Sequence, residues 1–267
     1  MQPSKGVLFQ SLMAVSAVLL GCLLVLPFVA LFADGGILAI SRGLECSLTW
    51  PALRLSLWTT TVSTMLVVLG GTPLAWLLSR SRLRLARYFE TFLQLPMVIP
   101  PAVGGIALLL TFGPEGLLGR WLAPLGFNPQ FSPVAVVMAQ VFVSAPFFIQ
   151  AAVQAFGRLD PGVIAGARET GATPSHIFLH LALPSAKPWL IGGAAMSWAR
   201  ALGEFGATLM FAGNLTGRTQ TLPLAIYVAL GLDVRTAQAL SLLLVLVAFA
   251  LLMSLRRFNR PTSPSAK

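Results

Sequence analysis

Long apolar runs separated by short polar stretches dominate the pattern along the chain. A helix of roughly 20 residues crosses the hydrocarbon layer of a bilayer, which is about 30 Å thick. The runs therefore predict six transmembrane helices, at about residues 11–33, 54–79, 92–112, 133–157, 188–212 and 236–256. The pattern predicts an all-α membrane protein in which residues 1–267 form one transmembrane domain.

The composition leaves no room for a separate soluble domain. Hydrophobic residues make up 56% of the chain and charged residues 10%, and the mean hydropathy is +0.83. A soluble domain carries roughly 25% charged residues. The first apolar run follows Lys5 but is longer than a signal-peptide core, and no convincing small-residue cleavage site follows it. We expect it to be a retained helix.

Basic residues are distributed unequally between the two sides of the predicted spans. With the N-terminus in the cytoplasm, twelve lysines and arginines fall on cytoplasmic segments and five on outer loops, while Arg200 lies inside a span. The cytoplasmic set is Lys5, Arg80, Arg82, Arg84, Arg87, Arg158, Arg168, Lys187, Arg256, Arg257, Arg260 and Lys267. The outer set is Arg42, Arg54, Arg120, Arg218 and Arg235. Because cytoplasmic loops carry the basic excess, we expect both termini inside.

The formal net charge of +10 is therefore mostly juxtamembrane. Such a distribution suits anionic lipid headgroups. A nucleic-acid-binding protein needs basic residues on a folded aqueous surface with aromatic residues among them, and the sequence contains no such surface. Membrane lipid is an expected partner and nucleic acid is not.

Three prolines interrupt the start of the third span. Pro96, Pro100 and Pro101 remove backbone donors, and Gly104 and Gly105 follow them. Two interpretations stay open: a kinked entry to a packed helix, or a broken helix that lines a pathway, since irregular backbone at membrane depth needs protein or water against it. Pro100 and Pro101 are therefore candidates for a pathway or gate.

The second span carries a cluster of hydroxyl side chains, Thr59, Thr60, Thr61, Ser63 and Thr64. Hydroxyls on membrane helices most often bond to their own helix or to a neighbour. We favour that interpretation over hydroxyl donors that face a passage for a polar solute.

The fifth span contains two stripes with four-residue spacing. Ala195, Ala199, Gly203 and Ala207 form a ridge of small residues suited to close helix contact. Arg200, Glu204 and Thr208 form the second stripe, shifted by one position. An arginine and a glutamate inside a span are costly unless paired or hydrated, and i,i+4 spacing permits pairing. The pair is predicted to lock helices together or to border a pathway or gate, and the two roles are compatible.

Enzymatic chemistry finds little support in the sequence. The chain has only three lysines, and none follows the glycine-rich loop that binds ATP phosphates. No Ser–His or paired-carboxylate arrangement occurs within a span, and Glu204 is the sole acid there, which disfavours a proton relay. We expect a protein that is not an enzyme and has no cofactor.

Metal binding and disulfide formation are also disfavoured. His176 and His180 are spaced for one helix face, but no acid or thiol joins them in a motif with known metal spacing. Cys22 lies in the first span and Cys46 in the loop after it. A disulfide needs that loop to fold back, so we favour two unpaired apolar fillers.

The polar stretch 158–187 is long for a connection between two membrane helices. It contains a cluster of small residues at Ala165, Gly166 and Ala167, then Gly171, then Leu181-Ala182-Leu183-Pro184. Small residues let another protein approach a backbone closely. The pattern predicts a loop that a partner contacts from outside the membrane.

This stretch resembles the Glu-Ala-Ala loop of binding-protein-dependent ABC importer permeases. The family pattern is Glu-Ala-Ala, three residues, Gly, nine residues, then Ile-x-Leu-Pro, and here the glycine and the Leu183-Pro184 pair match in spacing. The leading glutamate is absent, since Ala165 stands in its place. Residues 200–208, Arg-Ala-Leu-Gly-Glu-Phe-Gly-Ala-Thr, and the following 212–227 block closely resemble the molybdate permeases of that family. Sulfate and thiosulfate permeases share this block more loosely.

The resemblance implies a type I ABC importer permease fold and a transport function. It implies a homodimer with a second permease copy, two ATP-binding subunits on the cytoplasmic side and an extracytoplasmic oxyanion-binding protein, in the inner membrane of a bacterium. Molybdate or tungstate is the implied substrate, and a sulfate or thiosulfate permease is the alternative. A stand-alone secondary transporter predicts inverted repeats and several ionisable groups within the spans, and neither is clear here.

The resemblance also assigns the loop residues. Those implied to couple to the ATPase are Asp160, Ala165, Gly166, Ala167, Glu169, Gly171, Leu183 and Pro184. We expect a short helix at about residues 161–173, with Gly171 ending or turning it. Glu169 lies one turn after Ala165, so we expect it to supply the carboxylate that the family places at that position.

Overall fold

The computed structural model describes residues 4–81 and 83–258, and all regular elements within them are helical. The helices are α1 (Ser4–Glu45), α2 (Thr49–Arg80), α3 (Arg84–Leu93), α4 (Leu95–Val98), α5 (Pro101–Phe112), α6 (Gly119–Leu122), α7 (Pro133–Gly157), α8 (Pro161–Glu169), α9 (Pro174–His176), α10 (Leu183–Leu202), α11 (Gly206–Ala212), α12 (Leu222–Leu232) and α13 (Val234–Phe258). Arg82, Arg260 and Lys267 lie outside the described residues, as do the side chains of Lys5, Arg256 and Arg257.

Four helical segments of the described chain are long and apolar enough to cross a membrane: Phe9–Ala33, Thr49–Arg80, Pro133–Gly157 and Val234–Ser254. A fifth crossing is possible where α3 and α4 meet α5, and this pair of segments is bent by 114°. The structure confirms an all-α membrane protein. The predicted fifth span at 188–212 is not among these segments.

Prolines account for the break in the third span. Ile99 and Pro100 are extended (ψ 145° and 133°), and α5 starts at Pro101. The ring of a proline disfavours helical backbone at the residue before it, so two consecutive prolines separate α4 from α5. The structure therefore shows a broken helix at Pro96–Pro101, and the role of this break in lining a pathway stays a prediction.

The predicted fifth span has different limits from those expected. A π-helical turn, Ile177–Ala182, joins α9 to α10, so the chain is helical from Pro174 to Leu202. Pro184 cannot donate a hydrogen bond to the carbonyl four residues before it, which explains why the turn widens there. The helix then stops, and α11 begins only at Gly206. The expected helix over 188–212 therefore starts earlier, is broken after Leu202 and ends at Ala212 as expected, while Leu183 and Pro184 lie in a helix rather than in a loop.

Helix α7 lies at the centre of the bundle. Against α2, an added Cβ at Gly71 would lie 2.9 Å from the ring of Phe148. Against α10, an added Cβ at Gly193 would lie 2.8 Å from Cβ of Ala151. Because there is no room for a side chain at either glycine, the three helices pack closely. Along the N-terminal half of α7, its buried residues form a core with α5 and α11.

The remaining helices extend this bundle. α12 and α13 pack with the N-terminal part of α2 around Ala52, Leu222 and Leu240. α1 contacts α13 around Ala39 and Leu242, and Gly36 interrupts α1 with a positive φ of 52°. The segment Phe9–Ala33 of α1 has no buried residue in its most apolar window. This part of α1 therefore stands away from the rest of the chain.

Candidate functional site

Helix α8 is the centre of the polar stretch, and both of its ends are fixed by local contacts. The Asp160 carboxylate accepts a hydrogen bond from the backbone N–H of Gly162 at 2.8 Å, which caps the first turn. At the other end, Gly171 adopts a φ of +87°, and the N–H of Ala172 bonds to the carbonyl of Ala167. The helix ends at Glu169, earlier than the expected 173, and Gly171 makes the turn as expected.

One face of α8 is buried and the other is open. Ile164 packs inward, while Ala165, Gly166 and Glu169 are exposed. An added Cβ at Gly166 would have nothing within 4 Å. Glu169 makes no ion pair with any residue that the structure describes. The exposed residues of α8 thus include small side chains and a carboxylate without an ion pair in the described chain, beside Val163 and Arg168, and the small side chains suit close contact with another protein.

An aromatic cluster ties the polar stretch to the bundle. The rings of Trp76 on α2, Phe156 on α7 and Phe178 in the π-helical turn lie 5.4 to 6.1 Å apart. The guanidinium of Arg80 lies 4.8 Å from the Trp76 ring and donates to the carbonyl of Phe156 at 3.2 Å. No sequence pattern predicts this cluster, because its members come from three separate segments of the chain.

The ion pair predicted in the fifth span is present. Nη1 of Arg200 lies 2.8 Å from Oε2 of Glu204, without the alignment of a hydrogen bond. The Glu204 side chain is 1% exposed and that of Arg200 is 27% exposed. The other carboxylate oxygen, Oε1, accepts a hydrogen bond from the N–H of Ala207 at 2.8 Å. Glu204 therefore holds the arginine and also caps the start of α11.

Thr208 does not share this face. Its stripe with Arg200 and Glu204 assumed a continuous helix, but the chain leaves the helix after Leu202 and starts a new one at Gly206. The Thr208 side chain is buried, and its hydroxyl has no hydrogen-bond partner within the described part of the chain. The small-residue ridge is interrupted for the same reason, since Gly203 is exposed and Ala207 is buried.

The structure brings Pro101 close to this break. An added Cβ at Gly206 would lie 3.1 Å from Cβ of Pro101, and one at Gly105 would lie 2.6 Å from the carbonyl of Ala207. The starts of α5 and α11 therefore pack against each other, next to the Glu204 cap. Pro100 is exposed at the start of α5.

The hydroxyl cluster of α2 is structural. Thr59, Thr61 and Thr64 each bond to a carbonyl one turn earlier, at 2.7 to 2.8 Å. Thr60 accepts a hydrogen bond from Nε2 of Gln140 on α7 at 3.4 Å. This confirms the favoured interpretation, in which these groups bond within their own helix and to a neighbour.

The histidines and cysteines show no further site in the described residues. The rings of His176 and His180 stack at 4.3 Å, on an exposed surface. No group of three or more His, Cys, Asp or Glu residues is placed to hold a metal ion in the described chain. Cys22 and Cys46 are both free thiols.

Comparison of the sequence with known protein families identifies the family of this chain. The family described as the binding-protein-dependent transport system inner membrane component matches residues 68–261. The chain belongs to this family. It is therefore a transport subunit and a multi-pass membrane protein, which agrees with the sequence analysis.

Individual relatives narrow the comparison. The molybdenum transport system permease protein ModB of Mycobacterium tuberculosis is 48% identical over 200 residues, which is 74% of this chain and 75% of that protein. The sulfate transport system permease protein CysT of Escherichia coli is 30% identical over 214 residues, or 78% and 77% of the two chains. A crystal structure of a bacterial ABC transporter that imports alginate superposes with a TM-score of 0.78 at 15% identity, covering 97% of each chain. The last comparison shows the type I ABC importer permease fold.

Proposed function

We propose that this chain is the membrane-spanning subunit of an ATP-driven importer that carries molybdate or tungstate into a bacterial cytoplasm. The observation that carries the substrate assignment is the 48% identity with a molybdenum permease. The block that begins at Arg200, which resembles molybdate permeases, supports it. The chain contains no phosphate-binding loop of its own, so the energy comes from a separate ATPase.

The exposed face of α8 is the proposed docking site for that ATPase. Asp160 and Gly171 fix the two ends of the helix, and Gly166 leaves room for a close approach. The Trp76–Phe156–Phe178 cluster then passes a displacement of α8 to α2 and α7. A functional transporter contains two copies of this chain, two ATPase subunits and an extracytoplasmic binding protein, and both termini of each permease are cytoplasmic.

The ion pair gives the proposed pathway its charge. The guanidinium of Arg200 is held by a carboxylate but remains partly exposed. A partly exposed cation within the membrane attracts a dianion, while the pairing with Glu204 keeps that attraction weak enough for release. Tight binding belongs to the extracytoplasmic protein, because a deep permease site would slow transport.

The assignment is tested by reconstitution of the permease with an ATPase subunit and an oxyanion-binding protein from the same organism. We expect ATP-dependent uptake of labelled molybdate into proteoliposomes, which excess tungstate competes away and excess sulfate does not. Strong competition by sulfate at low concentration would instead favour a sulfate permease, the function of the more distant relative CysT. Uptake without ATP or without the ATPase would instead indicate a secondary transporter and would overturn the proposal.

A further inference from the structure

Three glutamines lie on α7, and only one of them makes a side-chain hydrogen bond to another of the described residues. Gln140 is buried and donates to Thr60. Gln150 is half-buried and Gln154 is exposed, and neither makes a hydrogen bond to a residue in the described ranges. An unpaired amide in hydrocarbon is costly, so polar side chains at membrane depth face protein or water. The surroundings of Gln150 and Gln154 therefore need a polar occupant.

Both glutamines line a groove of about 480 Å³ between α7 and α10. The opposite wall is formed by Pro188, Gly192 and Met196, which recur every four residues along α10. The close approach of Gly193 to Ala151 forms the floor. The groove is thus a channel along the helix axes, with amides on one side and small or apolar residues on the other.

An arginine lies near each end of this groove. At one end, the guanidinium of Arg158 lies 4.1 Å from the ring of Trp189, which lines the groove. At the other end, Arg200 is one turn beyond Met196 on the same stripe of α10. From Pro188 to Arg200 the stripe is roughly 18 Å long, at 1.5 Å per residue. Neutral donors therefore lie between two cationic side chains.

We propose that this groove is the cytoplasmic half of the oxyanion pathway, in which the amides of Gln150 and Gln154 donate hydrogen bonds to the passing anion. The inference rests on the proposed function, which supplies the substrate class. A tetrahedral oxyanion offers acceptor oxygens only, and the –NH₂ group of a glutamine is a neutral donor. Neutral donors replace part of the hydration shell without trapping a dianion as a buried charge would.

The hydration of the groove is tested without any transport measurement. In a background with Cys22→Ala and Cys46→Ala, we expect Gln150→Cys and Gln154→Cys in the assembled complex to react with a membrane-impermeant thiol reagent at least tenfold faster than two controls. Ala152→Cys is buried on the same helix, and Leu69→Cys is exposed on the apolar surface of α2. Reaction of Gln150→Cys at the rate of either control overturns the proposal, because the groove is then covered by protein or lipid.

The proposed contact between Gln150 and the anion is tested by substitutions that keep the size of the side chain and change its polarity or charge. We expect Gln150→Leu to lower molybdate uptake about fivefold and Gln150→Glu at least tenfold, with folded yield and ATPase association unchanged, because a carboxylate repels a dianion. Gln10→Glu, on the exposed surface of α1, adds the same charge outside the groove and should leave uptake unchanged. Equal uptake by the Leu and Glu variants would show that the amide does not meet the anion.

These two experiments separate the inference from the function on which it rests. If the unmodified complex imports no oxyanion, the proposed function fails, and the amide contact with an anion fails with it. The thiol reaction still decides whether the groove contains water. Fast labelling together with normal uptake in Gln150→Glu overturns the pathway assignment while leaving the importer assignment intact.

Discussion

Glu204 makes two separate structural contacts, one through each carboxylate oxygen. Its i,i+4 spacing from Arg200 was enough to predict the ion pair. The spacing could not predict that the helix ends at Leu202, between Arg200 and Glu204. It also could not predict that the second carboxylate oxygen of Glu204 accepts a hydrogen bond from the N–H of Ala207 and so caps α11. Pairing depends on local separation along the chain, whereas the helix break depends on the close packing of Gly206 against Pro101.

Because Glu204 both pairs with Arg200 and caps α11, substitutions at these two positions should lower the yield of folded protein by different amounts. Arg200→Met leaves a carboxylate that is 1% exposed without a cation, which should cost several kcal/mol and sharply lower the yield of folded protein. Glu204→Gln should be milder, because an amide oxygen still accepts from Ala207. The double variant Arg200→Met with Glu204→Gln should recover the yield, measured by size-exclusion chromatography in detergent.

Uptake then distinguishes the two roles of the arginine. We expect the double variant to fold and to associate with the ATPase but to import molybdate poorly, because the partly exposed cation is gone. Full recovery of uptake would assign Arg200 a purely structural role. A double variant that folds no better than Arg200→Met would refute the pairing itself.

At the scale of elements, the sequence predicted helices well where one physical cause dominates. The break before α5 follows from two consecutive prolines, and the end of α8 follows from Gly171. The limits of α10 were missed because two effects compete there. Pro184 and Pro188 indicate a helix start, but the chain retains helical backbone through a π-helical turn and buries Ile177 and Ala182. That burial depends on contacts with distant segments.

Gly171 gives a prediction for the docking helix. Its φ of +87° is a conformation that a leucine adopts only at a cost of roughly 1–2 kcal/mol. We expect Gly171→Leu to shift the end of α8, reduce co-purification of the ATPase and abolish uptake, while the bundle still folds. The measurements are ATPase recovery on an affinity-tagged permease and uptake in proteoliposomes.

Gly126 provides the matched control. It has a φ of +82°, and an added Cβ there also has nothing within 4 Å. Gly126→Leu therefore introduces the same local strain in a connection far along the chain from α8. It should leave ATPase recovery unchanged. Equal loss of the ATPase in both variants, or normal uptake in Gly171→Leu, would mean that the end of α8 does not control docking.

At the scale of the whole molecule, a single chain leaves a large apolar surface and part of a small-residue stripe uncovered. The apolar window of α1 is unburied, and at the end of α10 Ala195 and Ala199 are half-buried while Gly203 is exposed. The sequence showed the small-residue ridge but could not show which part of it the chain itself covers. Gly193 and Ala201 turn out to face the core instead. This stripe lies next to Arg200, and we propose that a second copy of the chain packs against it and closes the pathway there.

That placement predicts a disulfide between two copies. An added Cβ at Gly203 would have only the carbonyl of Ala199, at 3.8 Å, near it, so a cysteine there fits within one chain. In the background lacking Cys22 and Cys46, we expect Gly203→Cys to form a covalent dimer under mild oxidation, seen on a non-reducing gel. Gly231→Cys is also unobstructed but lies at the end of α12, away from this stripe, and should remain monomeric on the gel. Cross-linking of Gly231→Cys alone would place the two-fold axis beside α12 and remove Arg200 from the shared pathway.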